Sequence, residues 1–331
     1  MTTIAECKKI GGKRLQKREA RKRRRKQLFK KMAEHKLIYL MLLPVAVSYL
    51  VFSYLPMYGI ILSVKEYRPS AGIWGSAWAD PLFVNFQSVF DTPYFMRAIK
   101  NTLVISFLKI LFCFPAPIVL ALLLNEVRLS GYRKGIQTVI YLPNFISWVI
   151  FGSIVYDIFG YEGVVNNLRV MLGLSHKAFM SDAGWYYPIL ILFSVLKDAG
   201  WGTIIYMAAI SAVSPNLYEA ATIDGCGRFR MMWSVTLPCI GPIITIQFLL
   251  AMGNIMNAGF DAVFNTYNQQ IYDVADILDT YIYRTGFADS GDFEMATAIG
   301  LFKSVINFGL LLSANFVVKR INGTGIYELG E

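Results

Sequence analysis

Four ionisable side chains stand where this chain can least accommodate them. Lys109, the adjacent pair Lys197 and Asp198, and Lys303 each fall inside a long apolar run of the 331-residue sequence. A charge at the centre of a hydrocarbon layer costs roughly 2.5–3.5 kcal/mol on the insertion scale. Such residues therefore face a cavity, pair with one another, or reach back to the interface. Neighbours on a helix do not face each other, so a lysine on another helix suits Asp198 better than Lys197 does. Two readings stand: a buried Lys–Asp pair with snorkelling lysines, or a cavity with surplus positive charge. Asn144, Trp148, Trp201, Tyr206, Asn254, Asn257 and Asn307 are spaced through the same apolar runs. They supply amides and ring faces, whose ordinary use is packing and interhelical hydrogen bonding.

Other chemistries lack their parts. No GxxxxGK[ST] loop is present to cradle a nucleotide. His35 and His176 are the only histidines, there is no HExxH spacing, and no nucleophile–base set stands out. Cys7, Cys113, Cys226 and Cys239 show no CxxC spacing and read as free thiols. No metal site is expected.

The positioning elements follow from composition. The chain is 55% hydrophobic and 16% charged, whereas a soluble domain is about a quarter charged. A helix needs about 20 apolar residues to cross roughly 30 Å of hydrocarbon. Six segments qualify, at about 37–64, 98–124, 135–159, 187–213, 238–260 and 294–318. The net charge of +10 is concentrated in residues 1–36, which hold fifteen Lys or Arg against three acids. That tail favours the cytoplasmic leaflet and reads as a topology anchor rather than a nucleic-acid arm. It is too long for a signal-peptide n-region, and no cleavable signal is expected. With the tail inside, the inner connections carry seven Lys or Arg in 47 residues and the outer loops six in 94. The third outer loop, 261–293, has six aspartates and one arginine. The expected fold is all-α and polytopic, with six crossings, both termini inside, and a short cytoplasmic tail at 319–331.

This topology puts residues 214–237 inside, where YEAATIDGCGRFRMMWSVTLPCIGP interrupts two hydrophobic blocks. Ser214 and Pro215 suit an N-cap and a first helical residue, and Gly225 suits the position just past a helix end. About ten residues of helix, roughly 15 Å, lie between them. That is too short and too polar to cross lipid. Pro238 marks the expected start of the fifth crossing.

Glu219-Ala220-Ala221, Asp224-Gly225, Leu237-Pro238 and Pro242 resemble the EAA loop of binding-protein-dependent ABC importer permeases. Cys226 replaces the usual alanine and Trp233 the usual phenylalanine. YLPNFISWVI (141–150) and FDAVFNTYNQQIYDVADILDTYIYRTGF (260–287) resemble the polysaccharide or oligosaccharide branch, related to maltose-type permeases. The second stretch departs from the glycine- and proline-bearing maltose-type version.

The resemblance implies a transport subunit rather than an enzyme, in a bacterial cytoplasmic membrane. Its EAA helix between crossings four and five would couple to a dimer of cytoplasmic ABC ATPase subunits. Glu219 would make polar contacts, Ala220 and Ala221 would allow close approach, Gly225 would form the turn and Asp224 would brace it. No cofactor would be bound by this chain, since Mg-ATP belongs to the ATPase. A second related permease and an extracytoplasmic solute-binding protein are also implied. The loop 261–293 either meets that protein or folds back over the pathway. For an oligosaccharide, aromatic faces with amides suit a pyranose, and surplus lysine charge suits a uronate oligomer. The pathway candidates are then Lys109, Asn144, Trp148, Trp201, Tyr206, Asn254, Asn257, Lys303 and Asn307. An ion- or proton-coupled secondary transporter is the alternative. It calls for inverted repeats and broken helices around midplane acids, and no repeat is evident.

Overall fold

The computed structural model describes residues 34–288 and 291–322. Most of the basic tail expected over 1–36, and most of the tail at 319–331, lies outside them. The chain divides into two units, Met1–Ile60 and Ile61–Glu331. The first holds helix α1 (Lys36–Tyr49), a wide turn at Leu50–Tyr54 and only the beginning of a tighter 3-10 stretch, Leu55–Val64. Pro56 has no N–H to offer the helical ladder, and the departure from α geometry falls around it.

The second unit is helical apart from a small ribbon, β1 (Lys65–Glu66) against β2 (Ala77–Trp78), antiparallel with Lys65 opposite Trp78. Helices α2 (Pro93–Phe112) and α3 (Pro115–Asn125) together make one apolar rod. Each begins with proline, the residue whose missing N–H costs least at a helix start. Helix α4 (Ser130–Tyr141) leads to α5 (Trp148–Phe159), and α6 (Ala183–Ser211) is a single rod of 29 residues. Asp182 caps α6 by accepting from the Gly184 amide at 2.8 Å. Helix α7 (Pro215–Ile223) precedes α8 (Gly241–Gly253), and α12 (Phe293–Asn322) closes the described chain. Between α8 and α12 run three short helices, α9 (Phe260–Phe264), α10 (Tyr272–Ala275) and α11 (Leu278–Tyr283).

Among the described residues, five helical segments are long and apolar enough to cross a bilayer. A sixth is reached if the bent pair Arg228–Cys239 and Gly241–Gly253 counts as one crossing. Two of the expected spans differ from continuous helices. The span expected at 135–159 breaks at 142–147, where a 3-10 turn carrying Pro143 gives way to extended backbone at Ile146 and Ser147. The span expected at 238–260 bends by 64° at Ile240, and its second half ends at Gly253. Thirteen residues of α8 give only about 20 Å of rise.

The break at 142–147 and the early end of α8 are both chemically satisfied. Lys197 on α6 donates its ammonium to the carbonyls of Pro143 at 3.1 Å and Asn144 at 3.3 Å, and also to Ile146. Its charge lies 5.5 Å from the ring centres of Trp148 and Phe151. Asn307 on α12 donates to the Gly253 carbonyl at 2.6 Å and accepts from the Met256 amide at 3.4 Å. Irregular backbone persists at membrane depth only where such partners exist. Gly200 lets α6 cross the end of α4, since a Cβ there would stand 1.9 Å from the Ile140 carbonyl oxygen.

The core is built around the segment expected as an outer loop. Ile105 of α2 and Tyr186 and Leu190 of α6 pack on Ala258, Ala262, Val263, Ile271, Ala275 and Ile277. Phe95 and Ala98 of α2 and Ala298 and Ile299 of α12 pack on Leu278 and Tyr281. At the other end, Ile118, Ala121, Tyr206, Ile210 and Ile240 form a separate cluster.

Candidate functional site

Helix α7 has the local signals that its sequence announces. Ser214 is the N-cap in extended backbone and Pro215 the first helical residue. The end is a Schellman turn. The Cys226 amide donates to Ala221 at 2.9 Å and the Gly225 amide to Thr222 at 3.0 Å. Gly225 takes φ +73° there, with open space around its missing Cβ. Asp224 is the C-cap residue.

One side of α7 is anchored and the other is open. Ala221 is buried against the chain, and the Tyr218 hydroxyl meets the Thr236 hydroxyl at 3.0 Å. Glu219, Ala220, Asp224 and Gly225 are exposed. Large apolar side chains accompany them, with Ile223 87%, Phe229 71% and Trp233 58% exposed. The two alanines thus separate, Ala221 turned to the chain itself and Ala220 to the open side.

A second site lies at the α2–α8 junction. Lys109, Asn254 and Asn257 line one cavity of about 250 Å³ together with Ser106 and Cys113. The Lys109 ammonium reaches Gly259, at the start of the segment that carries α9. Asp198 lies within electrostatic reach of Lys109 and is exposed on the isolated chain. Ser106 donates to the Ile255 carbonyl and pins the turn between the two asparagines. The cavity therefore offers one ammonium and two carboxamides, a donor-rich set for hydroxyl and carboxylate oxygens.

The remaining sequence candidates are dispersed. Lys303 pairs with Asp279 of α11, and Asn307 serves the backbone turn after α8. Asn144 gives its carbonyl to Lys197. Trp148 packs partly buried between two core clusters. Trp201 is 52% exposed and meets Phe145 edge to face. Tyr206 is buried in the cluster of Ile118 and Ile210. Sequence reasoning missed the pairings of Arg97 with Asp273 and of Arg284 with the buried Asp276. The single arginine among the six aspartates of 261–293 was the available signal.

Residues 115–323 match the sequence profile of a family described as "Binding-protein-dependent transport system inner membrane component". Protein LplB of Bacillus subtilis (strain 168) is 43% identical over 88% of this chain and 91% of its own length. The polygalacturonan/rhamnogalacturonan transport system permease protein YteP of the same organism is 42% identical over 93% of this chain and 95% of its own. Among solved structures, a chain of a bacterial alginate ABC transporter, in complex with an alginate pentasaccharide-bound periplasmic protein, superposes with a TM-score of 0.81. It is 40% identical, over 90% of this chain and 99% of that one.

Proposed function

Since the chain belongs to the family of binding-protein-dependent transport inner-membrane components, we propose that it is the permease through which an ATP-driven importer passes acidic polysaccharide fragments. The observation that carries the substrate reading is the cavity of Lys109, Asn254 and Asn257. Relatives similar along most of the chain are named for polygalacturonan/rhamnogalacturonan and alginate transport, and these substrates are rich in uronate. A lysine kept inside an apolar bundle at a cost of roughly 2.5–3.5 kcal/mol is offset by a carboxylate that crosses beside it.

In this reading six crossings run with both termini in the cytoplasm of a bacterium, the fifth being the bent pair before and after Ile240. Helix α7 is the coupling helix. It is seated on the chain through Ala221 and Tyr218 and presents Glu219, Ala220 and the Gly225 turn to a dimer of ATPase subunits. Those subunits bind and hydrolyse Mg-ATP. The passage is shared with a second, related permease, which is why Asp198, Trp201 and other polar or aromatic groups stand open on the isolated chain. A solute-binding protein delivers the sugar from outside, and closure of the ATPase dimer on nucleotide moves α7 as a lever.

Uptake into proteoliposomes holding the full importer tests this. Oligogalacturonate should accumulate only with ATP inside and the binding protein outside, and Lys109→Gln should lower that rate by roughly tenfold, in line with one charge-assisted contact. Exclusive transport of neutral oligosaccharides would contradict the acidic substrate. Accumulation by this chain alone on an ion gradient would contradict the coupling.

A further inference from the structure

A second cavity, of about 320 Å³, opens between the start of α2 and the segment 269–285. Tyr94, Arg97, Gln269, Tyr272, Tyr281 and Arg284 line it. It contains two arginines held in different ways.

Arg284 is locked. It makes two hydrogen bonds to Asp276, at 3.1 and 2.7 Å, and that carboxylate is wholly buried. The guanidinium lies 4.6 Å from the Tyr272 ring centre and 5.8 Å from that of Tyr281. Burial works against its charge, but the hydrogen bonds and charge of Asp276 outweigh it and hold its pKa above the ordinary value. On its other side Tyr272 stacks with Tyr267 at 5.1 Å. Burial beside Tyr272 pushes the Tyr267 phenol up to about 12. This half of the cavity is a rigid wall.

Arg97 is not locked. It holds Asp273 through one nitrogen, Nη1, and the Asp273 side chain is 80% exposed. An ion pair so open to water is weak. The Arg97 Nε is buried without a hydrogen-bond partner, which is uncommon in a folded protein. Two-point pairing of a guanidinium with a carboxylate is stronger and more directional than one-point pairing. Arg97 therefore has capacity that Asp273 does not use. Tyr94, 5.1 Å from the guanidinium and 52% exposed, brings apolar surface of the kind that a sugar ring covers.

We propose that Arg97, beside Tyr94 and the Tyr272–Arg284 wall, is an entry subsite for a uronate, whose carboxylate displaces Asp273 from the guanidinium. The inference rests on the acidic-substrate reading and adds to it a selectivity step ahead of the Lys109 cavity. Asp273 acts as a stand-in carboxylate, keeping the arginine ordered until an acidic sugar takes its place. A neutral sugar offers only hydroxyl acceptors and has no charged group to displace Asp273 from Arg97.

Two substitutions give opposite signs. Binding of radiolabelled trigalacturonate, with galactotriose as the neutral control, is measured on the assembled importer in lipid nanodiscs. Arg97→Gln should weaken trigalacturonate binding by about tenfold and leave galactotriose binding unchanged. Asp273→Asn should tighten trigalacturonate binding by about threefold, because the competitor is gone. If the pair only clamps the loop to α2, both substitutions weaken binding of both ligands, and the subsite is overturned. A wild type that imports oligogalacturonate but binds it indifferently to Arg97→Gln overturns this inference alone. A wild type that neither binds nor imports the acid overturns the acidic-substrate reading as well.

Discussion

Two polar interruptions divide this apolar chain, and they meet opposite fates. Residues 260–288 carry three short helices, and Ile271, Ala275, Asp276, Ile277, Leu278 and Thr280 are buried there. Two of the segment's carboxylates are paired in partly or wholly buried sites within the chain, Asp276 with Arg284 and Asp279 with Lys303. Residues 214–237 also carry a short helix, yet Ile223, Phe229 and Trp233 stand exposed beside open polar groups. The difference lies in where the partners are. The first segment finds them in α2, α6 and α12 and completes the chain's own core. The second has a formed backbone and an unpaired outer surface, the arrangement expected of a helix that docks on a separate subunit.

The largest effect should come from breaking the self-contained segment. Asp276→Ala leaves the Arg284 guanidinium in a partly buried site without its two hydrogen bonds. Loss of one partner from such a pair costs about 3–5 kcal/mol, so thermal unfolding of the detergent-solubilised protein should begin well below that of the parent. An unchanged midpoint would mean that the segment is not part of the core.

Gly225→Arg tests the other side. The site has room for a side chain, but φ +73° imposes strain of about 1–2 kcal/mol on any L residue, and the added bulk projects into the docking face. Membrane insertion should be retained, while uptake falls by at least about tenfold and ATP hydrolysis no longer tracks transport. Normal import by this variant would remove α7 from the coupling path.

The sequence made much of this comparison readable, and its failures share a cause. Pro215 and Gly225 bound α7 because such signals act within one turn of the chain, and Ser214 holds the N-cap position although its hydroxyl makes no cap hydrogen bond. The long rods α6 and α12 fall within a few residues of their expected limits because twenty apolar residues have few alternatives. The breaks at 142–147 and at Ile240 were hidden. Lipid-exposed helices tolerate proline, and nothing local to Pro143 reveals that Lys197, more than fifty residues on, will satisfy its carbonyls. The same distance hid the pairing of Lys303 with Asp279, which removes one lysine from any surplus of positive charge. Within the candidate pathway, Lys109, Asn254 and Asn257 were each visible as polar residues in apolar runs. Their meeting in one cavity depends on how α8 ends, which is a property of packing.

Smaller effects should grade the contrast. Lys303→Met leaves Asp279 without its partner in a pair whose side chains are each only 20% exposed, and should cost about 2 kcal/mol of stability, with uptake nearly intact, because the residue braces α11 rather than lining the Lys109 cavity. Ile223→Ser should leave stability unchanged within about 0.5 kcal/mol. It should still weaken co-purification with the proposed ATPase subunit, because Ile223 stands 87% exposed on the face proposed to dock there. Should Ile223→Ser unfold the protein while Asp276→Ala does not, the assignment of the two segments would have to be reversed.

Hydrogen exchange on the permease pair, recorded before and after the ATPase subunits are added, puts the central contrast to its most direct test. New protection is expected over 215–225, whose outer side chains are exposed and are proposed to dock, with little change over 260–288, which is already packed. Unchanged exchange at 215–225, or protection gained equally by both segments, would contradict that contrast.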